Sequence, residues 1–454
     1  DGPREGLEET VRSLVFRAVF VGSLGVSGCA APELGEIPAR CSDGTCPEGY
    51  DCIHGVCARP GTPIPITVAS LSQLKGHDLR VIPQAASALV TWQTYAYSQE
   101  GQRFTGVRVR PDGSVSQPME LVSSFVADAE SNEPYYDVAA TPDGDVLLAV
   151  SAAPLLGDLS PMPRLITYRA TLPPEGQEGS GVQFGAAWPE ERRMPTIGFG
   201  AVSKPKFLVR EGLVQLGYFQ TRSDEVLEQT IGELFVINLN ENGEPLASEP
   251  VAYPARADLP VAVSVEAAFS GSTGTWWVLD SERPSALLFT NEGIPIEKGL
   301  LRLAVGGTVQ GSSLLYIKPS ARAGDKLPSG PVAGGAALHR ADHVLGGGAP
   351  EGEITTAFVG DLPAMRDTPA PVWVERSGKA PLLVTPGAEL GAATLGVFTV
   401  DVATGKATEA ARIERFATSD IVAVAATVVG GNLFVVWAET ASETTIRAAV
   451  IPEP

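Results

Sequence analysis

From about residue 65 onward one pattern recurs and limits what this chain can fold into. Short apolar runs end in an aromatic or aliphatic residue, at Trp92, Val150, Tyr218, Val278, Tyr316, Trp373 and Trp437. The intervals are 58, 68, 60, 38, 57 and 64 residues, averaging about 58. Between the runs lie turn formers: Pro111-Asp112-Gly113, Thr141-Pro142-Asp143-Gly144, Asn240-Glu241-Asn242-Gly243 and Ala403-Thr404-Gly405-Lys406. Glycine supplies the positive φ that tight turns require. No amphipathic helical period interrupts the pattern, so each unit reads as a small antiparallel sheet of short strands.

A four-stranded blade with its loops needs about the observed interval, and seven such units fill residues 65–454. The body therefore resembles a β-propeller, and the expectation is an all-β propeller of about seven four-stranded blades; a tandem of β-sandwiches is the rival architecture. Asp401-Val402-Ala403-Thr404-Gly405-Lys406 resembles the outer turn of quinoprotein-type repeats, but the Trp that closes that repeat is missing and no quinone site carries over. Ser270-Gly271-Ser272-Thr273-Gly274-Thr275-Trp276 is similar to the Asp-box of sialidase-like propellers without its defining Asp. Residues 320–353, rich in Gly, Ala and Pro, break the rhythm and read as an insertion loop on one face.

The first sixty residues follow other rules. Arg12 and Arg17 precede Ala18–Val26, an uncharged run of nine residues. That is too short to cross about 30 Å of hydrocarbon and suits the core of a signal peptide. Val26-Ser27-Gly28-Cys29 then resembles the bacterial lipobox, which implies lipidation at Cys29 and a signal region over 1–28. The acidic decapeptide 1–10 does not fit a signal peptide, and a start at Val11 would leave it untranslated. In lipoproteins an Asp after the modified Cys retains the chain at the inner membrane. Ala30 stands there instead, implying an outer-membrane or cell-surface address.

After a tether over 29–40, the other four cysteines, Cys41, Cys46, Cys52 and Cys57, fall within seventeen residues. An even count after an export signal indicates disulfides in an oxidising compartment. So short a segment has no core, so cross-links must order it. Three pairings exist; Cys41–Cys52 with Cys46–Cys57 is favoured because the two loops are then alike in length. Four thiolates could instead hold zinc, with His54, although zinc ribbons prefer closer pairs. The spacing and Cys46-Pro47-Glu48-Gly49 resemble EGF-like or Dickkopf-like cysteine modules. A Pro-rich linker over 58–64 leads into the body.

The formal charge is −20, and −19 without residues 1–28, where four acids and three bases lie. Such a chain repels phosphate backbones, so nucleic acid is not the expected partner. No nucleophile elbow, P-loop or dinucleotide glycine motif is present, and no cofactor is implied. His339 and His343 are four apart, a spacing that on a helix would offer two metal ligands, but Arg340 stands where a zincin needs Glu. Trp92, Trp276, Trp277, Trp373 and Trp437 read as blade-packing residues first and ligand platforms second. The expectation is a non-enzymatic, lipid-anchored envelope protein whose propeller loops bind a protein or glycan. The alternative is a propeller-type hydrolase or lyase acting on polysaccharide.

Overall fold

The computed structural model describes residues 41, 45–53, 56–58, 63–71, 79–94, 102–125, 135–141, 143–152, 164–186, 205–210, 213–224, 229–240, 242–247, 251–254, 267–270, 276–280, 285–289, 300–302, 307–310, 313–319, 336–344, 353–363, 369, 371–387, 394–414 and 420–454. The chain divides into two compact units, Asp1–Pro60 and Gly61–Pro454. No helix among the described residues is long and apolar enough to cross a membrane.

In the first unit, β1 (Asp51–Ile53) and β2 (Val56–Ala58) form an antiparallel ribbon. Disulfides join Cys41 to Cys52 and Cys46 to Cys57, each closing a separation of 11 residues. Two covalent bridges thus hold a segment with almost no apolar interior.

The second unit is an all-β propeller. β3 (Ile66–Leu71) is the first strand of this unit and takes its place in the last sheet. Six blades of four consecutive antiparallel strands follow. They are β4 (Arg80–Pro83), β5 (Ala88–Thr94), β6 (Gln102–Val109) and β7 (Met119–Phe125); β8 (Tyr135–Ala140), β9 (Val146–Ala152), β10 (Arg164–Thr171) and β11 (Gln183–Ala186); and β12 (Lys206–Arg210), β13 (Leu213–Asp224), β14 (Gln229–Leu239) and β15 (Val251–Pro254). The fourth blade is β16 (Ala267–Ser270), β17 (Trp276–Asp280), β18 (Ser285–Phe289) and β19 (Leu300–Arg302), and the fifth is β20 (Gly307–Gln310), β21 (Ser313–Pro319), β22 (Ala336–Val344) and β23 (Glu353–Leu362). The sixth is β24 (Val372–Val374), β25 (Leu382–Pro386), β26 (Thr394–Val400) and β27 (Ala407–Glu414). The seventh sheet is assembled from both ends of the unit: β28 (Asp420–Val429), β29 (Asn432–Thr440), β30 (Thr444–Pro452) and, on its outer edge, β3.

The first strand of each blade is innermost, and these strands touch in a ring: β4 with β8, β8 with β12, β12 with β16, β16 with β20, β24 with β28 and β28 with β4. The Thr308 hydroxyl on β20 donates to the Glu375 carboxylate, just beyond β24, at 2.7 Å, joining the remaining pair.

Packing explains why the apolar runs are continuous rather than alternating. On β9, Val146, Leu148 and Val150 face the first blade, while Leu147 and Ala149 face the third. On β29, Leu433, Val435 and Trp437 pack toward the sixth blade, and Phe434, Val436 and Ala438 toward the first. A strand buried on both faces must be apolar at every position. The recurring runs are therefore the second strands of their blades, at β5, β9, β13, β17, β21 and β29. The run ending at Trp373 differs: it is the innermost β24, and the second strand there is β25, Leu382–Pro386, buried at all five residues. The short 38-residue interval reflects tight connections and not a missing blade.

One boundary is corrected. Residues 320–353 are not a single insertion loop, because β22, Ala336–Val344, runs through their middle and pairs with both β21 and β23. It pairs with β21 in unbroken register from Ala336 to Ala341, and on its other side a bulge falls where Leu338 and His339 meet β23. What remains are two separate connections, 320–335 and 345–352, at opposite ends of the fifth blade.

Candidate ligand-binding site

All innermost strands run in the same direction, so their first residues collect at one end of the central channel. Several of the longest connections reach this end, spanning Ala186 to Lys206, Pro319 to Ala336, Pro254 to Ala267 and Ala152 to Arg164. The opposite end carries tight turns at Gly144, Gly405 and Gly430-Gly431, all with positive φ.

Three consecutive innermost strands bring charges together at the loop-bearing end. Arg80 opens β4, Asp137 is third on β8 and Lys206 opens β12. Asp137 interrupts an otherwise apolar and aromatic strand, Tyr-Tyr-Asp-Val-Ala-Ala, and its side chain is 2% exposed. A carboxylate so buried must be paired and hydrogen-bonded. Its Oδ2 accepts the Phe207 backbone N–H at 2.7 Å. Its Oδ1 accepts Arg80 Nε at 3.1 Å. Lys206 Nζ lies 3.4 Å from both oxygens. The innermost strand of a blade is an open sheet edge, and Asp137 uses one such edge group of β12 to tie the second blade to the third. Arg80 adds the first blade, with its guanidinium 5.9 Å from the centre of the buried Tyr136 ring and Nη1 donating to Leu79 O at 3.1 Å.

The two cations stand on the solvent side of this acid, with side chains 23% and 29% exposed. On β13, Tyr218 follows Gly217, the register partner of Lys206, so its side chain lies on the opposite face of the sheet from Lys206, with Phe207 and Leu216. It is 1% exposed and stacked on Phe235 at 5.3 Å, and burial pushes its hydroxyl pKa well up. That hydroxyl finds no hydrogen-bond partner among the described residues. The cluster is poorly suited to proton transfer, because both Asp137 oxygens are occupied by donors.

The residues singled out from sequence lie elsewhere. Cys29 is outside the described residues, as are His54 and 271–275 of the Asp-box-like segment. The Cys41, Cys46 and Cys57 sulfurs lie within 4.8 Å of one another because the two disulfides are adjacent; as disulfides they offer no thiolates to zinc. His339 and His343 share a strand rather than a helix, so their Cα atoms are about 13 Å apart at the usual rise per residue, too far for one ion. His339 stacks on Tyr316 at 5.5 Å and meets Phe358 edge-on at 5.9 Å; desolvation, with Lys318 adding to it, lowers its pKa and keeps it neutral. Trp92, Trp277 and Trp437 are buried packing residues. Sequence reasoning passed over Arg80, Asp137 and Lys206, although one signal was readable: a lone acid within an apolar strand needs a cation from a neighbouring strand.

No protein-family model and no curated protein matches the chain. Solved structures similar to it include an alpha-L-arabinanase of Penicillium chrysogenum, 15% identical, covering 86% of this chain and 98% of that one, with a TM-score of 0.43. An alpha-L-arabinofuranosidase of Fusarium graminearum is 14% identical over 86% and 97% of the two chains, TM-score 0.42. A levansucrase of B. megaterium is 10% identical over 78% and 90%, TM-score 0.38. Likenesses this distant carry no argument for a substrate or a reaction, and the propeller stands on its own strand order.

Proposed function

We propose that this chain is a lipid-anchored envelope protein that binds a glycan or protein ligand, without turning it over, at the end of the propeller where the innermost strands begin. The observation that carries the binding reading is the state of Asp137. A general acid or base must exchange a proton with substrate, and this carboxylate is buried with Phe207 N–H, Arg80 and Lys206 on its oxygens. Within this cluster of described residues the partly exposed groups are Arg80 and Lys206, which suit recognition. The anchor rests on the order of basic region, short apolar core and Val26-Ser27-Gly28-Cys29.

The second reading is hydrolysis of a polysaccharide at the same end of the propeller. Glycoside hydrolysis ordinarily uses two carboxyl groups about 5–10 Å apart across the bond. One experiment separates the readings: the full-length protein is exposed to a polysaccharide panel and to solubilised envelope, with binding and reducing-end release followed together. Saturable binding without release is expected. Steady release of reducing ends would replace this reading with hydrolysis. Palmitate labelling that survives Cys29→Ser would remove the anchor.

A further inference from the structure

The cysteine module gathers four sulfurs at one point. The Cys41, Cys46 and Cys57 sulfurs lie within 4.8 Å of one another, and the Cys52 sulfur is bonded to that of Cys41. A zinc ion about 2.3 Å from each of four tetrahedral thiolates sets them about 3.8 Å apart. Small side-chain rotations therefore bring these sulfurs around one ion once their bonds to each other are opened. The four come two by two. Cys52 and Cys57 are register partners on β1 and β2, while Cys41 and Cys46 belong to the segment before the ribbon.

A second, independent observation is where the bridges lie. Each joins a buried residue to a more accessible one: Cys41 and Cys57 are 6% exposed, whereas Cys52 is exposed and Cys46 half-buried. A disulfide is opened by a thiolate that reaches one of its sulfurs, and accessible bridges are the labile ones. With both open, a ribbon of three residue pairs buries too little to persist. Another cross-link then restores order, and in such a segment the binding energy of a metal ion is folding energy.

We propose that the module is a redox-gated metal site: once reduced, Cys41, Cys46, Cys52 and Cys57 hold one zinc ion as four thiolates, and reoxidation expels it. Each bridge takes two electrons and two protons from a dithiol reductant, which closes to its own disulfide. The four thiols lose four protons as the ion enters. In the reverse direction a disulfide oxidant takes up four electrons and four protons, both bridges reform and the ion leaves. Thiolates select zinc over calcium and magnesium, which take oxygen ligands. The site goes beyond the propeller's ligand and stands whether or not that ligand is turned over.

The test uses the full-length chain with Cys29→Ser, which removes the one cysteine outside the module. Oxidised and phosphine-reduced samples are titrated with Co2+ under argon, then with Zn2+. The reduced chain should take up one equivalent of Co2+ with the visible absorption of tetrahedral thiolate coordination. Zn2+ should bleach that absorption and slow alkylation of all four thiols, counted by mass spectrometry. The oxidised chain should give no such absorption, and adding oxidised glutathione to the zinc form should release the metal. Cys46→Ser should weaken uptake by more than the about ten- to a hundredfold typical of losing an outer-shell partner. A reduced chain that takes up no Co2+ would overturn the proposal, as would uptake unchanged by Cys46→Ser or equal in the oxidised chain.

Discussion

At the scale of single residues, the joint between the first and second blades shows how alternation can mislead. Val107 and Val109 flank Arg108, and strict alternation sends Arg108 toward water. It is instead 4% exposed, because the reverse face of β6 meets a neighbouring blade and not solvent. The connection from β10 to β11 covers it: Nη2 donates to Pro173 O at 2.7 Å, and Nη1 lies 3.4 Å from Glu178. Arg110 reaches the same carboxylate at 2.7 Å, the Gly176 N–H donates to it at 3.1 Å, and the nearby Ser87 hydroxyl donates to Glu175 at 2.7 Å. Burial alone would raise the Glu178 carboxyl, but the N–H groups of Glu178 and Gly176, with Arg110 and Arg108, outweigh it and hold the pKa below the usual range. A depressed folded-state pKa stabilises the fold above the unfolded value, and that stabilisation is lost as pH falls through the lowered one. Glu178→Gln should therefore cost on the order of 1–2 kcal/mol at pH 7. The gap from wild type should close as pH drops below about 4, near the unfolded value for Glu. Urea unfolding across pH 3–7 checks this, and a gap that is constant with pH would exclude the ionic account.

Strands and turns were legible to different depths. The apolar runs marked the second strands because those are buried on both sides, but Trp373 broke the rule: β24 is innermost and carries an aromatic of its own at its centre. The strand β22 was hidden because the residues on either side of it are Gly- and Ala-rich, and because its two histidines sit at a spacing that also suits a helix. The turn at Asp401–Lys406 was readable as a turn, and the Asp401 carboxylate does accept Ala403 N–H at 2.9 Å and the Thr404 hydroxyl at 2.6 Å. What local sequence could not convey is that this turn presses on a neighbouring blade. Gly405 has φ +69°, and a Cβ there would lie 2.5 Å from Gly360 N and 2.6 Å from Gly360 Cα on β23. Gly378 has the same φ with open space around it. Gly405→Ala should destabilise by about 2–4 kcal/mol, strain and overpacking together. Gly378→Ala should cost about 1 kcal/mol, strain alone. Equal denaturant midpoints for the two variants would show that the close approach contributes nothing.

For the whole molecule, the decisive feature is the closure of the ring. β3 pairs with β30, from Ile66 opposite Ala448 to Leu71 opposite Thr444. A side-chain ladder crosses the same sheet, with Arg447 bonded to Glu439 and to the Thr67 hydroxyl at 3.2 Å. Without β3 the edge of β30 is unpaired and the last blade has three strands. A chain beginning at Gly61 should keep the thermal midpoint of the propeller, whereas one beginning at residue 72 should lose cooperative unfolding or aggregate. Circular dichroism melts decide between these outcomes, and a cooperative, soluble product from the shorter chain would show closure to be dispensable. The repeat count and the all-β class were visible in the sequence because blades repeat locally. The charged cluster at Arg80, Asp137 and Lys206 was not, since its members come from three blades and meet only when the ring forms.

That closure also sets an order of events during synthesis. Thr67 and Arg447 are 380 residues apart in the chain and adjacent in the sheet. The strand that emerges early must wait, unpaired, until nearly the entire domain has been made, and contacts of such long range form slowly. A polypeptide cut short anywhere before β30 has no partner for β3. The join therefore works as an inspection of completeness, in which a truncated product is left with an open edge at each end for proteases to find.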